Sequence, residues 1–334
     1  MKTKLQKLKE SKKRKKRLKL ITLLLISLTI ILIIFITAKK SRKNISTPLI
    51  QQKNEKIGMA ENTEIKQENN EITNEVNQEQ LVEVEEAKQE AVKVKEIIEK
   101  YIAEKNLNEE NFAFFYYDIN SKNQYFYNEN TYFTAASTIK VPIAMLYYDK
   151  ITHGDITLDT KLLYQSSDYE AGAGNTSNIY KFGDYIPISF LLREMIKESD
   201  NTATNILKKE LGGEKAYRIL IKQYTKENLT EEFNVENVTS AKYSLDVLKR
   251  LYQDREKYAD LINLMKESSS GGYLKKNIKN YEIAHKYGSI AGCTHDYGIV
   301  YYNENPYLIG VFTKNIPNAE NLIAEISKTI IDNN

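Results

Sequence analysis

Residues 134–142 read TAASTIKVP, and within them Ser137 and Lys140 stand three apart where an apolar run begins. A serine hydroxyl is a weak nucleophile until a neighbouring base takes its proton. At the start of a helix the two side chains would share one face, with Cβ atoms about 5–6 Å apart. The helix N-terminus would favour negative charge developing near Ser137. Lys140 is followed by Val141, Pro142, Ile143, Ala144 and Met145; burial lowers a lysine pKa, so a neutral amine able to act as a base fits this setting. Pro142 near the helix start costs little, because the first amides of a helix have no intrahelical partner. On its own the pair also fits an ordinary surface Ser and Lys in a helix's first turn.

Two further stretches narrow the reading. Ser199-Asp200-Asn201 precedes TATNILKKELGG, where all three side chains suit a helix N-cap and Gly212-Gly213 suits the helix end. Near the C-terminus, Ala284-His285-Lys286-Tyr287-Gly288-Ser289 has the pattern of a strand running into a glycine. The order of the three stretches, at a helix start, a loop before a helix and an edge strand, is hard to obtain by accident.

The chain from residue 88 resembles the serine β-lactamase and penicillin-binding-protein family, most nearly the class A β-lactamases. Ser137-Thr138-Ile139-Lys140 matches S-x-x-K, Ser199-Asp200-Asn201 matches S-D-N, and Lys286-Tyr287-Gly288 stands at K-T-G. The resemblance implies an acyl-enzyme on Ser137 with Lys140 as base. It implies proton transfer and anion binding by Ser199 and Lys286, recognition of the substrate amide by Asn201, and a loop braced by Asp200. Backbone N–H groups of Ser137 and Ser289 would form the oxyanion hole, with Tyr287 and Gly288 lining the substrate corner. Neither a metal nor an organic cofactor is implied. The substrate would be a small molecule or a cell-wall peptide.

Two positions depart from the family pattern. Class A β-lactamases carry an E-x-x-L-N segment, whose glutamate activates the deacylating water, between the second and third motifs. Here residues 224–240, YTKENLTEEFNVENVTS, hold Glu231, Glu232 and Glu236 but no such segment. Tyr287 replaces the usual Thr or Ser hydroxyl with a bulkier phenol. Three functions are compatible: a tethered serine hydrolase acting on a β-lactam or a D-Ala-D-Ala-like amide or ester, a true β-lactamase with another deacylation route, and a non-catalytic wall-binding module. A Ser-His-Asp hydrolase is disfavoured by the absence of a G-x-S-x-G elbow, and His285 and His295 read as structural.

Residues 88–334 form the predicted folded domain, of α+β class. FAFFYYDI (112–119) and residues 123–127 flank the turn 120–122 and predict a hairpin. Val92, Val94, Ile97, Ile98, Tyr101 and Ile102 predict an amphipathic first helix. Residues 139–148 are apolar nearly all round and predict a buried helix. Further helices are expected over 189–198, 202–210, 214–223, 241–252 and 318–331, and strands over 281–287, 298–302 and 307–313. Strands at both ends with helices between imply one antiparallel sheet against a helical block.

The first 87 residues differ in kind. Residues 1–20 hold eleven Lys or Arg against Glu10, a net of +10 in a chain whose total is +3, so the remainder sums to −7. A nucleic-acid role for this tail is outweighed by the adjoining segment. Residues 21–38, ITLLLISLTIILIIFITA, carry no charge and have the length of a transmembrane helix. The charge asymmetry predicts a single-pass bacterial membrane protein with a cytoplasmic N-terminus and an extracellular domain. Residues 39–87 are polar and lack any aromatic residue, which predicts a flexible stalk. Cys293 is the only cysteine, so the chain has no internal disulfide, and a lone cysteine usually reads as a small buried hydrophobe. The sequence does not fix the oligomeric state.

Overall fold

The computed structural model describes residues 92–269 and 272–333. The basic tail, the expected membrane helix at 21–38 and the expected stalk at 39–87 lie outside these residues. Among the described residues no helix is long and apolar enough to cross a membrane.

Helix α1 (92–105) leads to the hairpin of β1 (Phe112–Asp118) and β2 (Gln124–Tyr127). A short ribbon comes next, in which β3 (Phe133–Thr134) pairs with the later β6 (Val238–Thr239). The expected buried helix is α2 (Lys140–Thr152), entered through a 3-10 turn over Ala136–Ile139. Strands β4 (Lys161–Leu163) and β5 (Tyr185–Pro187) form a second ribbon. The helical block continues with α3 (Ile188–Lys197), α4 (Asn201–Glu210), α5 (Glu214–Ile221), α6 (Ala241–Gln253) and α7 (Ala259–Lys266). The chain then returns through β7 (Glu282–Ile290), β8 (Cys293–Tyr301), β9 (Tyr307–Lys314) and α8 (Ala319–Asn333).

The main sheet has the order β2-β1-β9-β8-β7 with every pair antiparallel. Strands from both ends of the domain thus share one sheet, as expected, and β1 meets β9 in a register that sets Phe115 opposite Gly310. A side chain at Gly310 would collide with the Phe115 ring, since an added Cβ would stand 2.2 Å from it. Alternation along β1 explains its unbroken apolar run: Ala113 and Phe115 face the helical block, while Phe112, Phe114 and Tyr116 face α1 and α8. A sheet covered on both faces needs apolar residues at every position.

On the outer face, Val94 and Ile98 of α1 pack with Leu322, Ile323, Ile326 and Ile330 of α8, and the Tyr101 hydroxyl bonds that of Thr329 at 2.9 Å. On the inner face, α2 lies at the centre with nine of its residues buried. The last strand, β7, is a sheet edge, and its inner side runs past the 3-10 turn that carries Ser137.

Candidate active site

The 3-10 turn places Ser137 on a strained backbone. Ala136 has φ +49°, a left-handed conformation that is costly for a residue with a Cβ, and three hydrogen bonds to Asn237 and Tyr297 hold the turn. Ala135 N–H donates to the Asn237 carbonyl at 2.7 Å, Asn237 Nδ2 donates to the Ala136 carbonyl at 3.3 Å, and the Tyr297 hydroxyl donates to the Thr138 carbonyl at 3.0 Å. One residue earlier, the Thr134 carbonyl lies 2.9 Å from His295 Nε2. Burial lowers the His295 pKa to about 4, so the ring is neutral; with Nδ1 accepting from the Thr313 amide at 3.1 Å, Nε2 carries the proton and donates. Sequence reading assigns Asn237 and Tyr297 no part here, and gives His295 an ordinary structural one.

Gly288 fixes the other side. An added Cβ would stand 2.7 Å from the Ser137 amide nitrogen and 3.0 Å from that of Thr138. The backbones of β7 and the turn are therefore in contact, and only glycine fits between them. Ser289, the next residue, is exposed, and its hydroxyl lies 3.3 Å from that of Thr294.

Lys140 is the first residue of α2 and is buried. Spacing predicts that Ser137 and Lys140 share a helix face as a pair. Ser137 lies in the 3-10 turn, where residues three apart stand over one another, and Lys140 Nζ is directed at the second motif. It donates to the Ser199 carbonyl at 2.6 Å, the Ser199 hydroxyl at 3.3 Å and Asn201 Oδ1 at 3.0 Å. These three acceptors match the three protons of an ammonium. Burial, reinforced by the Lys208 charge, nevertheless lowers the Lys140 pKa to about 7, against the opposing pull of Asp200 and Glu170.

Lys286 reaches the same hydroxyl from β7, donating to Ser199 Oγ at 3.0 Å and to the Tyr287 carbonyl at 3.1 Å. Burial and the nearby Lys140 charge push its pKa well below the ordinary lysine value. Ser199 thus lies between two lysines, on a backbone held at φ +57°. Asp200 makes that loop rigid. Its Oδ1 caps α4 by accepting from the Ala203 amide, and its Oδ2 accepts from the Thr176 amide, both at 2.8 Å. The sequence-based N-cap and the expected brace are one residue.

Tyr287 is half-buried, and its ring stacks on that of Tyr273 at 4.9 Å and 22°, with the Lys286 ammonium 4.2 Å from its centroid. Burial first, then the Glu198 and Asp296 charges, raise the pKa of its phenol, against a smaller lowering by the Ser199 side chain. The corner is therefore walled by two neutral phenols. Behind it, His285 Nδ1 lies 2.7 Å from Asp296 Oδ2, which also accepts from the Leu274 amide. This fully buried pair secures the turn that carries Tyr273.

The three motifs, spread along residues 137–288 of the sequence, form one continuous hydrogen-bonded site around Ser199, with Ser137 beside it. A serine, two lysines of lowered pKa and a backbone amide cradle form a set able to carry out acyl transfer. The carboxylates of the 224–237 segment are not part of this set: Glu227, Glu231, Glu232 and Glu236 are exposed.

Comparison with known proteins places this geometry. Residues 93–333 match the profile of the beta-lactamase enzyme family. A PBP-A point mutant solved as an acyl-enzyme complex with penicillin G is 22% identical with a TM-score of 0.63, over 72% of this chain and 95% of that one. TLA-3 extended-spectrum beta-lactamase is 24% identical with a TM-score of 0.64, over 73% and 98%. A beta-lactamase from Sphaerobacter thermophilus is 20% identical with a TM-score of 0.58, over 65% and 88%. No curated protein matches the sequence. The match over 93–333 shows that the chain belongs to the beta-lactamase enzyme family and is a serine hydrolase.

Proposed function

We propose that the protein is a membrane-tethered serine hydrolase that forms an acyl-enzyme at Ser137 with a β-lactam or a D-Ala-D-Ala-like amide or ester of the cell wall. The observation that carries this reading is the Lys140–Ser199–Lys286 chain beside Ser137. A binding module has no use for two buried lysines of lowered pKa converging on one hydroxyl.

In this mechanism neutral Lys140 takes the proton of Ser137 Oγ as the oxygen attacks the acyl carbonyl. The developing oxyanion lies between the Ser137 and Ser289 amides. Lys140 passes the proton to Ser199, which delivers it to the leaving nitrogen or oxygen, and Lys286 holds the substrate's anionic group and keeps Ser199 oriented. Asn201 binds the substrate amide. The scissile bond breaks and the acyl group stays on Ser137. The PBP-A point mutant of similar fold has been solved as such an adduct with penicillin G.

The apolar segment 21–38 would anchor the chain, and the polar stretch 39–87 would let the domain reach the wall. The aromatic wall at Tyr287 and the lack of an E-x-x-L-N segment support slow turnover of penicillins over efficient lactamase activity.

The test is to incubate the full chain with labelled penicillin G and with a D-Ala-D-Ala-like thioester, following adduct mass over time beside Ser137→Ala. A lasting adduct that disappears in Ser137→Ala is the expected result. Rapid product release makes the protein a true β-lactamase, and no adduct with either donor makes it a binding module.

A further inference from the structure

The acyl-enzyme needs a base to activate water, and the surroundings of Lys140 show which carboxylates are near. The charges that act on Lys140 are those of Lys208, Asp200 and Glu170, none from the 224–237 segment. Asp200 is already committed, each oxygen accepting a backbone amide. Glu170 remains.

The loop that carries Glu170 is fastened along the α4 face that bears Asn201. The Glu170 amide donates to Thr202 Oγ1 at 3.1 Å, and Thr202 Oγ1 donates back to the Glu170 carbonyl at 3.2 Å. Asn205 Nδ2 donates to Glu170 Oε2 at 2.8 Å. Two residues on, the backbone of Gly172 crosses Asn201 so closely that an added Cβ would stand 3.2 Å from Asn201 Nδ2, and the Asn201 amide donates to the Ala173 carbonyl at 3.2 Å. Asn201 and Asn205 are one helical turn apart on the same face, about 5–6 Å between Cβ atoms, and Asn201 Oδ1 receives Lys140 Nζ. The Glu170 carboxylate is thus held one turn from the Lys140 contact. Its Oε1 takes no hydrogen bond among the described residues, and its side chain is open to solvent, so water reaches it.

The geometry points to Glu170 as the carboxylate that accepts the proton of the water hydrolysing the Ser137 acyl-enzyme, in place of one from the 224–237 segment. This rests on the acyl-enzyme reading above. Water attacks the acyl carbonyl carbon as one of its protons passes to Glu170. The protonated Glu170 gives its proton through solvent to the neutral Lys140 amine, and Lys140 passes it on to Ser137 Oγ as the tetrahedral intermediate collapses and the bond from carbonyl carbon to Oγ breaks. Glu170 is again a carboxylate, Lys140 again a neutral amine and Ser137 a free hydroxyl, and the acid product departs.

Glu170→Gln in the full chain tests this, with acylation rate, adduct lifetime and melting temperature each measured using labelled penicillin G. The expected result is an adduct lifetime longer by about a hundredfold or more, the usual worth of a general base, with acylation and melting temperature unchanged and Glu170→Asp intermediate. An unchanged lifetime in Glu170→Gln overturns the assignment. So does a parallel fall of acylation, deacylation and melting temperature, or a wild-type adduct that never turns over. Absence of any wild-type adduct has a different meaning: it removes the acyl-enzyme reading, and this inference with it.

Discussion

Gly288 and Ser137 are in backbone contact, with room for no side chain between them: an added Cβ would meet the Ser137 amide nitrogen at 2.7 Å. In the proposed mechanism that nitrogen belongs to the cradle for the developing oxyanion. Gly288→Ala must push β7 away from the turn, and the loss of one well-placed donor lowers acylation by about 100- to 1000-fold. Stopped-flow acylation by a chromogenic β-lactam checks this, with melting temperature measured in parallel to separate displacement from unfolding.

In the proposed mechanism acylation depends on the protonation of Lys140. Its pKa is lowered to about 7, chiefly by burial, and only the neutral amine accepts the Ser137 proton. The acylation rate should therefore rise with pH through about 7 and level above it. Lys140→Arg keeps the charge in every accessible pH range and should lose about 100- to 10,000-fold at all of them. A rate independent of pH from about 5.5 to 8.5, a span that brackets the lysine's titration, argues against Lys140 as the base.

The same burial makes stability depend on pH. Between about 7 and the ordinary lysine value of 10.5, the unfolded chain holds a proton at Lys140 that the folded chain has released. Stability rises with pH wherever the unfolded state binds more protons, so it should increase across this window, with Lys286 acting in the same direction. Above about 10 the sign reverses, because buried Tyr243 and Tyr297 hold their protons to higher pH than in the unfolded chain. Urea unfolding at about pH 6.5, 8, 9.5 and 11 tracks this rise and fall, and Lys140→Met should flatten the lower limb.

Tyr287→Thr exchanges a phenol for the family's hydroxyl. The stack on Tyr273 is lost, which costs about 0.5–1.5 kcal/mol of stability. A hydroxyl facing the substrate carboxylate gains the equivalent of one hydrogen bond to a charged group, so acylation by penicillin G should quicken by about tenfold. Paired kinetic and thermal measurements resolve the two opposing effects.

Asp200→Ala removes the α4 cap and the acceptor for the Thr176 amide together. A lost cap costs about 1 kcal/mol and a buried unpaired amide a further ~1–3 kcal/mol, which thermal denaturation detects. Asp200→Asn keeps one acceptor and should lose less.

Much of this is readable from the chain. The SxxK, SDN and KYG stretches locate the site because their chemistry is local in sequence, and FAFFYYDI marks a strand covered on both faces. Other features depend on distant partners. Strand β8 begins at Cys293, five residues before the expected start at 298, because His295 and Asp296 are polar residues whose partners, Thr134 and His285, are supplied by other elements. The β3–β6 ribbon pairs residues about a hundred apart, and a two-residue strand leaves no periodicity to read. Helix α7 starts after Tyr258 with no capping side chain to announce it, whereas α5, of equal length, follows Gly212-Gly213. The left-handed backbones of Ala136 and Ser199 have no glycine to announce them. Glu170 escapes sequence reading because an exposed glutamate in a loop looks like any other, and only the fold sets it beside Asn205.

The pairing of β1 with β9 has a consequence in time. Phe112 meets Thr313, and Ser137 is seated against Gly288, so both contacts wait for the last part of the chain. Pairings between such distant residues form slowly, since the intervening loop must close first. A newly made chain therefore holds its nucleophile unseated until β7, β8 and β9 are in place, and truncation within this C-terminal third should leave the serine without reactivity even when the helices have formed. The proposed reactivity of Ser137 thus depends on the pairing of these three strands.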